Sequence, residues 1–455
     1  MNFKKIDSHI TNNLTERILS GGVWAILGKL TTGVLGILIN ILLIRILSPG
    51  DVGAYFLTYS MVTIFSLMAQ FGLPQLIVKL ASEDLTLNNI GKLKADITGV
   101  ISVVLVTCFI VSVLIIAFIG DLVAIDLFHN RTIASTISMI TLWAVAMTFQ
   151  QLFVEIYRGL HDIKMASLFS GVITNTILFV FLSYAWYFKE TTYYGVVQLA
   201  VYAVCGSVLI SAYILWSKIE PLDKIKTKVG KHKMVKNAWP LWVTALTVFV
   251  LTQSDLWIVG YFLGSDSVAL YGSAAKLILT LSLISSISYA VLPPIISEMN
   301  IKDEHKKLQN LLRGSAFANS IVVVPIFIIL LLYSSEVLEF LFGEYYRDAS
   351  KVLIFLLIGV LFNIITGIRG YALMLTGFGR IQMNISILGG VLNLIFCIVG
   401  AIKWGIHGVA FGAMSAMIVQ CTMELIAVKA KLGIWTHLSI SEFKGLVNEY
   451  KYANR

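Results

Sequence analysis

Lys29, Asp255, Lys276 and Arg369 lie inside long apolar runs of a chain of 455 residues, 58% hydrophobic and only 13% charged. A charge at mid-bilayer costs ~2.5–3.5 kcal/mol on insertion scales, so it persists where it pairs, faces water or does work. Three cations and one carboxylate can hold an anionic group, neutralise one another, or carry an ion. Glu155 stands three residues before Arg158, close enough to pair on one helix face, and Gln151 and Thr148 continue that face. Near one end of its apolar run, that pair reads equally as a gate or as a structural bridge. No phosphate-cradling glycine loop, HExxH, nucleophile elbow or paired catalytic carboxylates occurs. Cys108, Cys205, Cys397 and Cys421 show no CxxC or Cys/His spacing, so neither a metal site nor a disulfide framework is expected, and no cofactor.

The elements that carry these charges must be membrane helices. Soluble domains are about 45–50% apolar and ~25% charged, and this chain lies far outside both, with mean hydropathy +0.86. The net charge of +9 does not imply nucleic acid, because the basic residues fall in short segments between apolar runs. A spanning helix needs ~20 mostly apolar residues. Twelve runs qualify: 21–46, 52–78, 96–119, 133–157, 164–187, 194–217, 238–263, 268–296, 311–333, 349–375, 381–402 and 405–428. They are too long and continuous for barrel strands. With the N-terminus inside, the outer segments hold only Arg45, Arg131, Lys189, Arg347, Lys351 and Lys403. The other cations outside the spans fall on the inner side, so both termini are expected to be cytoplasmic. No cleaved signal peptide is expected.

Two halves echo each other. Trp24 leads through LSPGDVGAY to Tyr55, and Trp239 leads through LGSDSVALY to Tyr271. RGLHDIKMASLFSGVITN matches TGFGRIQMNISILGGVLN, with Gly159, Gly171 and Asn175 each 218 residues before Gly377, Gly389 and Asn393. The expected fold is all-α: two parallel-repeat six-helix bundles, 1–217 and 238–430, around a central cavity, with substrate passing between rocking halves. Residues 218–237 form a basic cytoplasmic linker, and 431–455, with Trp435, Leu438, Phe443, Leu446 and Tyr450 among charges, read as an amphipathic tail.

On the first span, Gly33, Gly36 and Asn40 share the direction of Lys29, which makes a small, polar face. It reads as cavity wall, with close packing through the glycines as the other reading. Asp255 and Lys276 each lie about ten positions from a turn centred between Ser265 and Asp266, ~15 Å below the outer face at matching depth. A direct pair is expected there, either permanent or opened by an anionic substrate. Thr366 and Thr376 flank Arg369, a third candidate cation.

The stretches GGVWAILGKLTTGVLGILINILLIRILSPGDVGAY, DLWIVGYFLGSDSVALY, RGYALMLTGFGR and GIHGVAFG, in that order, resemble the multidrug/oligosaccharidyl-lipid/polysaccharide exporter superfamily. Within it, the chain is similar to bacterial flippases for O-antigen and other lipid-linked repeat units. The resemblance implies a V-shaped pair of bundles in the cytoplasmic membrane and export of an undecaprenyl-diphosphate-linked oligosaccharide. It further implies a monomeric transporter working beside a polysaccharide polymerase and chain-length machinery, with no nucleic-acid partner. Without a nucleotide-binding domain, energy comes from an H+ or Na+ gradient, the membrane potential or downhill flipping. Lys29, Lys276 and Arg369 would contact the diphosphate, while Asp255, Glu155 and Arg158 are candidates for ion coupling or gating. A multidrug antiporter of the same superfamily would favour acidic cavities, whereas cations outnumber acids here. A major-facilitator sugar carrier lacks support, since LASEDLTLNNIGKLK does not carry that family's charged loop motif. A polymerase or glycosyltransferase would need a larger outer loop than SSEVLEFLFGEYYRD.

Overall fold

A continuous helix of 71 residues, Lys231–Ile301, would be ~107 Å long if straight, more than three bilayer cores. It is not straight. At Gly264 the backbone swings to φ 78°, ψ 176°, a conformation open to glycine, and the chain folds back. The Tyr271 hydroxyl reaches Asp255 Oδ2 at 2.6 Å although the two are sixteen residues apart. A second fold-back lies at Gly405 (φ 62°) in the 54-residue helix Gly379–Leu432. There Gly400 and Gly408 meet backbone to backbone, and a Cβ on Gly400 would stand 2.2 Å from the Gly408 carbonyl oxygen.

The computed structural model describes residues 14–87, 89–120, 122–188, 191–219 and 231–439. Every longer element in it is helical, and no strand occurs among the described residues. In chain order these are α1 (Leu14–Ile46), α2 (Pro49–Gln70), α3 (Leu73–Thr86), α4 (Ile90–Leu114), α5 (Ile137–Gly159), α6 (Ile173–Phe188) and α7 (Tyr193–Ile219). Then follow α8 (Lys231–Ile301), α9 (His305–Leu332), α10 (Ser350–Thr366) and α11 (Gly379–Leu432). Nine helices among the described residues are long and apolar enough to cross a membrane, or ten when the bent pair Met234–Val250 and Thr252–Leu279 counts as one span. It is a multi-pass, all-helical membrane protein.

The chain gathers into two compact units. One holds residues up to Leu47 together with Thr58–Val250, and the other holds Ser48–Leu57 and the chain from Leu251 onward. So α2 begins in the second unit and ends in the first, and α8 passes the other way. Residues 220–230 of the expected linker lie outside the described residues, as do Lys189 and the tail beyond 439, while 218–219 end α7 and 231–237 begin α8.

The first unit is cored by Leu73, Ile77, Leu93, Ile97, Leu152, Ile156 and Tyr157, all at or near zero exposure. Tyr157 stacks on Phe169 and donates to the Ser211 carbonyl at 2.9 Å, which satisfies its buried hydroxyl. Between α2 and α3 the chain breaks at Phe71, whose φ of 48° is unusual for a bulky residue. Phe71 is held there by stacking on Trp242, 4.8 Å between ring centres, while Trp242 Nε1 donates to the Leu67 carbonyl.

In the second unit the two echoing loops meet. Gly50 faces Asp266, and a Cβ on Gly53 would lie 1.8 Å from the Ser265 carbonyl oxygen. Gly272 lies against the Phe56 ring. Residues 433–439, the described part of the expected amphipathic tail beyond α11, run as an irregular strap. Gly433 ends α11 in the left-handed region, as a helix-terminating glycine does. The strap then ties itself to α9 and to the end of α10. Trp435 N–H donates to Gln309 Oε1, Thr436 Oγ1 to the Thr366 carbonyl, Leu438 N–H to the Ile365 carbonyl, and Arg313 Nε to the His437 carbonyl. Burial, then the nearby Arg313 charge, pulls the His437 pKa below the ordinary histidine value, so this strap residue sits uncharged beside the arginine at neutral pH.

Candidate functional site

The second unit contains a cavity of 340 Å³ whose walls are Asn363, Gly367–Tyr371, Met374, Gln382, Gln420 and Glu424. The chain opens it by breaking its helix at Gly367 (φ 78°), after the last turn of α10. That break turns Arg369 inward, where its side chain is 5% exposed. Arg369 Nε lies 2.8 Å from Glu424 Oε2, a charge contact without hydrogen-bond alignment. Its Nη1 donates to the carbonyls of Asn363 and Gly367 and to Thr366 Oγ1, and its Nη2 to Asn363 Oδ1 and Cys421 Sγ. Thr366 is the neighbour expected from the sequence. Arg369 is thus not the free cation anticipated for a diphosphate: its guanidinium is already occupied, and a buried charge this well partnered is costly to extract. Glu424 Oε1 accepts from Gln382 Nε2 at 2.8 Å and Gln420 Nε2 at 3.0 Å.

Asp255 and Lys276 do not form the expected ion pair. The fold-back is at Gly264, so Asp255 is nine residues before it and meets Tyr271, seven residues after it. Lys276 lies more than a turn further along and packs elsewhere. Asp255 Oδ1 accepts from the Leu256 N–H at 2.9 Å, and the half-buried Lys276 places Nζ 5.9 Å from the centre of the Phe56 ring, a cation–π contact.

In the first unit, Lys29 is exposed on α1 and forms no ion pair or hydrogen bond among the described residues. Gly33, Gly36 and Asn40 are half-buried, and Asn40 Nδ2 donates back to the Gly36 carbonyl at 2.6 Å. Gly36 has nothing within 4 Å of where a Cβ would be, so it is not a close-packing glycine. The tight contacts of α1 lie one face round: Gly28 against Ser167, and Thr32 against Gly171 with its carbonyl accepting from Asn175 Nδ2. Glu155 and Arg158 are bonded to each other, with Gln151 Nε2 donating to Glu155 Oε1 at 3.0 Å. Glu155 is buried and Arg158 half-exposed.

Sequence reasoning did not join Gln382, Gln420, Asn363 or Glu424 to Arg369. The usable signal was charge balance: a membrane chain rarely leaves a buried arginine without a carboxylate, and Glu424 is the acid of the last span.

A family described as polysaccharide biosynthesis protein matches residues 18–300. The chain belongs to the polysaccharide biosynthesis protein family. The same protein matches the MatE family over residues 240–399. A candidate O-antigen transporter of Shigella flexneri is 31% identical over 231 residues, covering 49% of this chain and 53% of that protein. A multidrug resistance MATE transporter of the MOP superfamily, solved in an inward-facing conformation, superposes with a TM-score of 0.71 at 15% identity, covering 88% of this chain and 94% of that one. The lipid II flippase MurJ, in an inward closed conformation, gives 0.69 at 16% identity, covering 92% and 88%. This polysaccharide biosynthesis protein therefore has the fold of the exporter superfamily that its motifs resemble, and the characterised proteins sharing it are transporters and flippases.

Proposed function

We propose that this protein flips an undecaprenyl-diphosphate-linked oligosaccharide across the bacterial cytoplasmic membrane for cell-surface polysaccharide synthesis. It works by alternating access, with both termini cytoplasmic and each fold-back at Gly264 and Gly405 joining two of its twelve crossings. Lys29 carries this reading. It is a cation exposed on an apolar helix, without a carboxylate among the described residues and beside the open face at Gly36. Such a charge needs water or an anion beside it, and a lipid diphosphate supplies the anion. Lys276, half-buried on α8, is the second diphosphate contact. Arg369 is withdrawn from that role. Asp255, through Tyr271, and Glu155 with Arg158 are the candidates for ion coupling or gating. The family match and the O-antigen transporter relative support the substrate class.

The test is transport in cells lacking the flippase, or in vesicles, with Lys29→Ala and Lys276→Ala. Each is expected to lower flipping at least about tenfold, as loss of a charge-assisted contact of ~1.5–3 kcal/mol implies. Full transport by both variants at normal expression refutes the diphosphate-cation mechanism. The MatE match over 240–399 favours export of organic cations as a second reading. Raised tolerance to cationic dyes on expression, without rescue of polysaccharide export, would establish it.

A further inference from the structure

We infer that the cavity around Arg369 and Glu424 receives the glycan end of the substrate, not its diphosphate. The inference rests on the flippase reading and assigns one part of that substrate to one place in the second unit.

The chemistry of the walls decides the ligand. The two charged side chains among the described walls, Arg369 and Glu424, lie 2.8 Å apart and cancel. The terminal nitrogens of Arg369 are spent on Asn363, Thr366, Gly367 and Cys421. An incoming phosphate would find no cation to meet, and it would face the carboxylate that Arg369 neutralises. What remains open is amide chemistry. Glu424 Oε1 takes one N–H from each of Gln382 and Gln420, which fixes both amides with nitrogen toward the carboxylate and carbonyl turned away. Gln382 Oε1 is left buried without a donor, an unusual state for a buried acceptor. Gln420 Oε1 and the Asn363 amide N–H groups likewise make no hydrogen bond among the described residues. Gly370 gives the Gln382 amide room to lie flat, since a Cβ there would stand 3.0 Å from Nε2. Tyr371, a residue 36% exposed, and Met374 complete the wall with apolar surface.

Neutral, amide-lined, with both donors and acceptors and one aromatic face, this is a site for a polyhydroxyl ring. Sugar hydroxyls donate to the two carbonyls and accept from Asn363, while the ring's C–H face lies on Tyr371. The volume of 340 Å³ is at the lower end of the ~300–1,000 Å³ common for small-ligand pockets, so the cavity takes the end of a glycan rather than a whole repeat unit.

The test compares two probes on the full-length protein in nanodiscs: bare undecaprenyl diphosphate, and undecaprenyl diphosphate carrying one N-acetylglucosamine or galactose. The unsubstituted protein is expected to bind a sugar-bearing probe more tightly than the bare lipid. Gln420→Leu and Gln382→Leu should each remove most of that difference, roughly tenfold, because a sugar hydroxyl is left against an apolar group. Binding of the bare lipid should be unchanged. Gly370→Ala, which disturbs the Gln382 amide without deleting a hydrogen-bonding group, should act in the same direction if the leucine variants express poorly. Equal affinity for bare and sugar-bearing lipid in the unsubstituted protein overturns the inference and leaves the flippase reading standing. So do variants that weaken both probes alike. If the unsubstituted protein binds neither probe, the flippase reading fails, and this inference with it.

Discussion

Arg369 changes role once its surroundings are known. The sequence shows an arginine in an apolar run between two threonines, which reads as a cation waiting for an anion. Its anion is already there, in Glu424, fifty-five residues later and 2.8 Å away. No local pattern joins the two. Only the packing of the last span beside the broken end of α10 does so, and one sequence does not print that packing. Glu155 and Arg158, by contrast, are three residues apart on one helix and were legible as neighbours. The buried pair makes a stability prediction. Glu424→Gln or Arg369→Met alone should cost ~3–5 kcal/mol, because each leaves one charge buried without its partner. The double variant should recover most of that loss. A double-mutant cycle from thermal unfolding in detergent checks this, and simple additivity of the two single losses would show that the contact is energetically idle.

At the scale of elements, most of the spans could be read from hydropathy alone, because length and apolarity are local. Turn geometry could not. The hairpin of α8 was centred between Ser265 and Asp266 from the sequence, but it folds at Gly264. That small slip paired Asp255 with Lys276, when the partner is Tyr271. Glycine identity matters more at such folds than the periodicity around them. Gly400→Ala should therefore lower the melting temperature by several degrees, since its Cβ would meet the Gly408 carbonyl at 2.2 Å with no flexible side chain to yield. Gly206→Ala in α7, where nothing lies within 4 Å, should raise stability by up to ~1 kcal/mol through helix propensity. Thermal unfolding of both variants gives the comparison, and a loss at Gly206 equal to that at Gly400 would refute the contact argument.

For the whole molecule, the family was legible because its motifs recur in order over nearly the entire chain, and the internal echo showed which stretches correspond. The echo also has a physical meaning that its letters do not carry. Gly50 and Asp266, which hold equivalent positions in LSPGDVGAY and LGSDSVALY, come to rest against each other. Orientation rests on charge bias alone and is tested directly: a fluorescent-protein fusion after Arg455 should fluoresce, and an alkaline phosphatase fusion there should be inactive. The reverse result would invert the topology. The strap adds a matter of timing. Thr436 closes on the Thr366 carbonyl across seventy residues of chain. During synthesis, the ribosome must therefore deliver all of α11 before the broken end of α10 can be sealed. Until then the segment carrying Arg369 waits in the bilayer with part of its frame unmade. A nascent chain released just after Leu432 should thus be a natural target for membrane quality-control proteases, while one released after Ser439 should escape them.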